Sequence, residues 1–136
     1  MAEACAAAMW ADDNASRGLG LVLEAVGPGS ARMAMTVRAD MTNGHGMCHG
    51  GFIFTLADSA FAFACNSRNA KCVAAQCQIS FLRPAQLGER LVAVAEERHL
   101  AGRSGIYDVR VTGAEGEVIA ELRGHSRAIG GVFFEA

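Results

Sequence analysis

From Asn43 to Asn66 the chain reads NGHGMCHGGFIFTLADSAFAFACN, a loop with three glycines and two histidines before Gly51, followed by an apolar run. Between Gly50 and Cys65 the only charged residue is Asp58. An ionised carboxylate in apolar surroundings is costly unless it is paired. Asp58 therefore either caps a neighbouring backbone or does chemistry, and buried carboxylates of perturbed acidity gather at functional sites. Gly50 and Gly51 stand where the loop turns into a helix. Helix starts carry unpaired N–H groups and the positive end of the dipole, and glycine lets a ligand approach that backbone closely. A carbonyl oxygen aimed at the Gly50 or Gly51 amide would be polarised as in an oxyanion hole. The plainer reading is that the helix start needs glycine to pack against another backbone.

Other residues of the stretch carry weaker signals. Cys48-His49 has the residue types of a nucleophile and its base, but adjacent side chains diverge and no third group orients them, so a structural cysteine is the expectation. Cys48, His45 and His49 lack the second ligand pair a structural zinc site uses, and no metal is expected. Ser59 points about 100° away from Asp58 on a helix of 3.6 residues per turn. His99 and His125 fall in strand-like segments as ordinary, partly exposed residues.

Spacing adds a geometric constraint. Asp58 lies seven or eight residues beyond the glycines, roughly 10–12 Å along a helix at a rise of 1.5 Å per residue. One carbonyl carbon cannot touch both ends of that span. If the two groups act on one substrate atom they must come from two chains, which a two-fold dimer with its helices side by side would arrange. The spacing thus predicts a site at a subunit interface, provided the two groups work together.

The elements that would position these residues are legible as patterns. Ala2 to Asp13 is alanine-rich and reads as a short helix ending at Asn14. Gly20 to Val26 and Ala31 to Arg38 are strands around the turn Gly27-Pro28-Gly29. In the second, Ala31, Met33, Met35 and Val37 alternate with Arg32, Ala34, Thr36 and Arg38, as in a half-buried strand. Asp40 to His49 is the loop and Gly50 to about Ser67 a helix apolar on all sides, hence buried on all sides; Phe54, Phe61 and Phe63 lie on different faces of it and are read as core. Further strands run from Lys71 to Leu82, stopped by Arg83-Pro84, then from Glu89 to Leu100, Ser104 to Thr112 and Glu117 to Ile129. The arrangement that buries such a helix is an α+β layer: a curved antiparallel sheet wrapped around it, with a second subunit on the remaining side.

Composition bounds the function. A chain of 136 residues is about one domain, so residues 1–136 read as a single unit, with 1–15 an N-terminal helix and 43–67 the loop and central helix. Hydrophobic residues make up 51% and charged ones 19%, with a net charge of −2 and a pI near 6.1, which leaves no basic footprint for nucleic acid. The five cysteines, Cys5, Cys48, Cys65, Cys72 and Cys77, are scattered with no CxxC pair, a reduced, cytoplasmic usage. The acidic N-terminus lacks the basic region of a signal peptide. The longest apolar run, about 16 residues, falls short of the roughly 20 needed to span a membrane.

These residues resemble a known family. Asn43-Gly44-His45, His49-Gly50-Gly51 and Asp58, the wider string CHGGFIFTLADSAFAFACNS, the FLRPA of Phe81 to Ala85 and the RGHSRAIGG of Arg123 to Gly131 are similar to the hotdog-fold acyl-CoA thioesterases of the phenylacetic acid degradation (PaaI) type. The resemblance covers about residues 16 to 131. It implies that Asp58 is the carboxylate that activates water or attacks the thioester. It implies further that the Gly50 amide polarises the carbonyl, and that Asn43 is an amide side chain beside the carbonyl or the water. His49 matches the histidine opening the helix, as structural support, and His49 and Gly51 are counted with the substrate-binding positions. Arg83-Pro84, Arg103-Ser104 and Arg127 match positions that meet the pantetheine and phosphates of coenzyme A. Family members form dimers that pair into tetramers and act on arylacetyl-CoA thioesters, notably ring-hydroxylated phenylacetyl-CoA. No cofactor is implied beyond the coenzyme A of the substrate.

The expected activity is hydrolysis of an aryl or short acyl-CoA thioester to the acid and free CoA, with no nucleic-acid or membrane partner. Two rivals share the chemistry. A hotdog dehydratase or hydratase would pair His49 or His45 with Asp58, though the Pro-rich His loop and Glu-bearing helix of those enzymes are absent. A non-catalytic acyl-CoA binding module would bind without turnover, but could dispense with a carboxylate in an apolar helix.

Overall fold

The computed structural model describes residues 1–135. Helices α1 (Ala2–Asp12) and α2 (Asn14–Gly18) lead into strands β1 (Val22–Gly27) and β2 (Ser30–Thr36). A 3-10 turn (Ala39–Met41) and the glycine loop then precede α3 (Gly50–Cys65), and β3 (Cys72–Phe81), β4 (Arg90–Ala101), β5 (Ser104–Thr112) and β6 (Val118–Ala128) complete the chain. The six strands form one antiparallel sheet in the order β1-β2-β4-β5-β6-β3. α3 packs across its inner face, so an α+β layer with a central helix is what the chain builds. No helix of the described residues is long and apolar enough to cross a membrane.

Alternation explains the inner face. Ala31, Met33, Met35 and Val37 of the β2 segment are buried, as are Leu91, Ala93 and Ala95 of β4 and Tyr107, Val109 and Val111 of β5. They close on Leu56, Ala57, Ala60, Phe61 and Ala64 of α3, all essentially inaccessible. Two small residues at Ala57 and Ala60 let the helix lie close to the sheet, while Phe61 fills the space over Gly124: a Cβ there would stand 2.7 Å from the Phe61 ring. Tyr107 flanks that ring, with centroids 5.5 Å apart.

The structure refines the expectations. The N-terminal helix stops at Asp12, within two residues of the expected end, but Asp13, which closes α1, also accepts the Ser16 N–H at 2.9 Å to open a second short helix, α2, that was not anticipated. The side of α3 expected to lie against a second subunit is partly accessible in the single chain, at Phe52, Phe54, Thr55, Asp58, Ser59 and Ala62, because the inner face of β2, β4 and β5 covers one side only. Strand bounds also move by a residue or two at most ends, and the hairpin turn is Pro28-Gly29, with Gly27 paired to Ser30 and Gly29 at φ 73°.

The segment after α3 holds the chain ends. Buried Asn66 donates to the Ala62 carbonyl at 2.9 Å and the Cys72 carbonyl at 3.2 Å and accepts the Cys72 N–H at 2.8 Å. Ser67 Oγ donates to the Ala64 carbonyl and accepts the Gly29 N–H. The Asn69 side chain accepts the N–H groups of Phe133 and Phe134 and donates to the Phe134 carbonyl, while its own backbone N–H goes to Cys5 Sγ.

Candidate active site

The start of α3 is built by the two residues before it and the segment after β3. Cys48 N–H donates to the Ala85 carbonyl at 2.9 Å and His49 N–H to the Met41 carbonyl at 2.7 Å, pinning the loop between the 3-10 turn and the Arg83-Pro84-Ala85 segment. His49 then caps the helix: its Nδ1 accepts the Gly51 N–H at 2.9 Å. A Cβ on Gly51 would sit 3.1 Å from that nitrogen, so glycine here makes room for the cap. The Phe52 N–H turns back to the His49 carbonyl at 3.0 Å. Of the first three amides of α3, only that of Gly50 has no partner among the described residues. Of the two glycine amides singled out from the sequence, the cap takes that of Gly51 and leaves that of Gly50 unpartnered among the described residues.

A cavity of about 430 Å³ opens beside this amide, lined by Met47, Gly50, Ile53, Phe81, Arg83 and Pro84. Phe81 lies across the helix start, 3.1 Å from where a Gly50 Cβ would be. Gly50, Arg83 and Pro84 thus share one cleft. Met47 and Ile53, which carry no mark in the sequence, and Phe81, noted only within the FLRPA string, line the cleft with them. Met47 is held there by an isolated bridge to Gln86, a contact between two irregular segments that no local pattern reveals.

Asn43 has a structural task. Its side-chain oxygen accepts the His45 N–H at 2.9 Å and the Met47 N–H at 3.3 Å, and its main chain closes the loop onto Met47 and Gly46. Its amide nitrogen is the group left to meet a ligand. Cys48 is buried, points its thiol at the His49 carbonyl and has its pKa raised by burial, none of which suits a nucleophile. His49, with one ring nitrogen committed to the cap, is badly placed as a general base. His45 is exposed on the loop.

Asp58 sits eight residues along the unbroken helix from Gly50, about 12 Å away along its axis. Burial raises its pKa, and the Cys77 thiol, at 3.8 Å from Oδ1, opposes that shift. The remaining sites anticipated for coenzyme A separate into two groups. Arg103, Ser104 and Arg127 come together: Ser104 pairs with Arg127, and the Ala128 N–H donates to the Arg103 carbonyl. Arg83, however, joins the sheet at Ile119, eight residues from Arg127 along β6 and about 27 Å at a strand rise of 3.4 Å per residue. Within one chain these groups do not share a site. No trio of His, Cys, Asp or Glu gathers at metal-binding distance among the described residues.

An antiparallel sheet around a helix, with a free amide at the helix start and a carboxylate at mid-helix, defines a class of acyl-transfer folds. The family model of the thioesterase superfamily matches residues 45–120, and the chain belongs to that superfamily, with the hotdog fold and the PaaI-type sequence. It is 44% identical over 124 residues to the acyl-coenzyme A thioesterase PaaI of Escherichia coli, covering 91% of this chain and 89% of that protein. The solved structure of E. coli PaaI superposes with a TM-score of 0.95 at 43% identity, over 96% of this chain and 95% of that one. Human acyl-coenzyme A thioesterase 13 is 34% identical, with 86% of each chain covered.

Proposed function

We propose that the protein hydrolyses arylacetyl-CoA thioesters, ring-hydroxylated phenylacetyl-CoA foremost, within phenylacetate degradation. The single observation that carries the mechanism is the unpartnered Gly50 N–H at the dipole end of α3, beside the cavity bounded by Phe81, Arg83 and Pro84. The thioester carbonyl accepts that N–H, with the Asn43 amide nitrogen alongside. The carboxylate comes from Asp58 of the partner subunit, since the Asp58 of the same helix is about 12 Å away. As general base it takes a proton from water as the oxygen attacks the carbonyl carbon; the C–S bond breaks and the thiolate of CoA takes up the proton. As nucleophile it would expel the CoA thiolate to form a mixed anhydride, and where water then opens it at the Asp58 carboxyl carbon, ¹⁸O from water enters Asp58 in a single turnover. Burial of Asp58 raises its basicity, which serves either route.

The dimer is supported by β3, an edge strand whose Val73 and Phe81 are 46% and 52% exposed in the single chain. A second copy there would cover them, and such dimers pair into a tetramer on this reading. The test is thiol release from hydroxyphenylacetyl-CoA and from a short aliphatic acyl-CoA, with Asp58→Asn and Asn43→Ala. Turnover by Asp58→Asn within a few-fold of wild type would sink the mechanism. An equal kcat/KM for the aliphatic thioester would sink the aryl preference.

A further inference from the structure

Among the described residues, Asp58 has one hydrogen-bonding partner in the chain, and it comes from β3, not from its own helix: Cys77 Sγ stands 3.8 Å from Oδ1. The contact depends on an irregularity of that strand. Cys72 pairs with Ala128, Val73 with Arg127 and Ala74 with Ser126, but Gln76 then pairs with His125, leaving Ala75 as an extra residue. A bulge of this kind shifts the side-chain parity of a strand and re-aims the residues beyond it. Before it the half-buried position is even, Cys72; after it the half-buried positions are odd, Cys77 and Ile79. Were Ala75 paired in regular alternation instead of bulged out, the side chain of residue 77 would face away from α3, and Asp58 would lose its partner.

We propose that Cys77 is a positioning residue for Asp58: the bulge at Ala75 aims its thiol at the carboxylate, which it holds in one orientation through a weak hydrogen bond from an uncharged donor. This rests on the reading of Asp58 as the reacting carboxylate. The choice of thiol has a chemical logic. A cation or several N–H donors would fix the carboxylate equally well but would strip it of basicity, whereas S–H is a weak donor. The thiol is also a dependable donor, because burial first and the charge of Asp58 second push its pKa up to about 11, so it keeps its proton at neutral pH. The titratable groups coupled to Asp58 among the described residues are thiols alone, Cys77 on β3 and Cys65 on α3, the latter in turn coupled to Cys72. Gly124, opposite Cys77 on β6, carries no side chain to intrude.

The experiment uses the full-length protein with aspartate carboxyl carbons labelled in ¹³C. Asp58 is titrated by NMR in wild type, Cys77→Ala and Cys77→Ser, with Asp58→Asn for assignment, beside pH profiles of kcat/KM for thiol release. Cys77→Ala is expected to move the Asp58 midpoint upward and to move the ascending limb of the rate profile with it. It should also lower kcat about 3- to 10-fold with little change in KM, as the loss of one weak hydrogen bond from an uncharged thiol would. Cys77→Ser, which restores a hydroxyl donor, should recover part of both. An Asp58 midpoint unmoved in Cys77→Ala overturns the proposal. A midpoint that moves while the rate profile does not would leave the contact standing and remove Asp58 from the chemistry, so the two readings fail separably.

Discussion

Gly124→Ala probes the packing between α3 and the sheet directly. The new methyl carbon would lie 2.7, 2.8 and 2.9 Å from Cε2, Cζ and Cδ2 of Phe61. Ordinary carbon–carbon contact begins at about 3.5 Å, so the ring must withdraw by close to 1 Å. It cannot do so freely: Phe61 is 1% exposed, Tyr107 stands against it, and Tyr107 is itself 1% exposed. Overpacking of this kind costs about 1–3 kcal/mol. Alanine recovers roughly 0.5–1 kcal/mol of the backbone entropy that glycine loses in a strand, leaving a net loss of about 0.5–2 kcal/mol. At roughly 4 °C per kcal/mol for a chain of this size the Tm should fall by about 2–8 °C. Gly18→Ala is the internal control. Nothing lies within 4 Å of its Cβ position at the end of α2, so the same chemical change should raise the Tm. Differential scanning calorimetry of both variants at one protein concentration decides the matter. A Gly124→Ala Tm equal to or above wild type would refute the packing argument.

Two further outcomes are expected at the site. His49→Ala removes the cap on the Gly51 amide and should lower stability by about 1 kcal/mol, whereas His49→Asn, which keeps an acceptor, should recover much of it in urea unfolding. Asp58→Asn should be more stable than wild type at neutral pH, because burial raises the carboxyl of Asp58 and so penalises its ionised form in the folded state. At acid pH both folded and unfolded carboxyls are protonated and the difference vanishes. It opens as pH rises past the ordinary value of 3.8 and levels off once the folded carboxyl has ionised. Unfolding free energies of the two proteins that stay parallel from pH 3 to 8 would contradict this.

How far the chain could be read from its residues varied with what each element buries. β2 and β4 were plain because each has one dry face, so Met33, Met35, Leu91 and Ala93 repeat every second residue. α3 was plain from its apolar length, and the separation of Gly50 from Asp58 required only the rise of a helix. β3 was opaque. Most of its residues are exposed on both faces in a single chain, and the bulge at Ala75 falls in an Ala-Ala pair with no turn or glycine signature. Register is equally invisible along a chain: nothing local places Arg83 at one end of β6 and Arg127 at the other. The break at Asp13 was missed because one side chain both ends a helix and begins the next.

The cap on Gly51 has a consequence for the choice of leaving group. Serine-type hydrolases that cleave amides and oxygen esters gather two or more N–H donors around the developing oxyanion, whereas here His49 withdraws the second amide and a single backbone donor remains. A tetrahedral adduct held so lightly collapses forward only when the departing group needs little assistance. A thiolate meets that condition and an alkoxide does not. On the proposed mechanism, the histidine at the helix start thus favours thioesters over oxygen esters and amides by leaving the carbonyl one backbone donor, with the Asn43 amide nitrogen beside it.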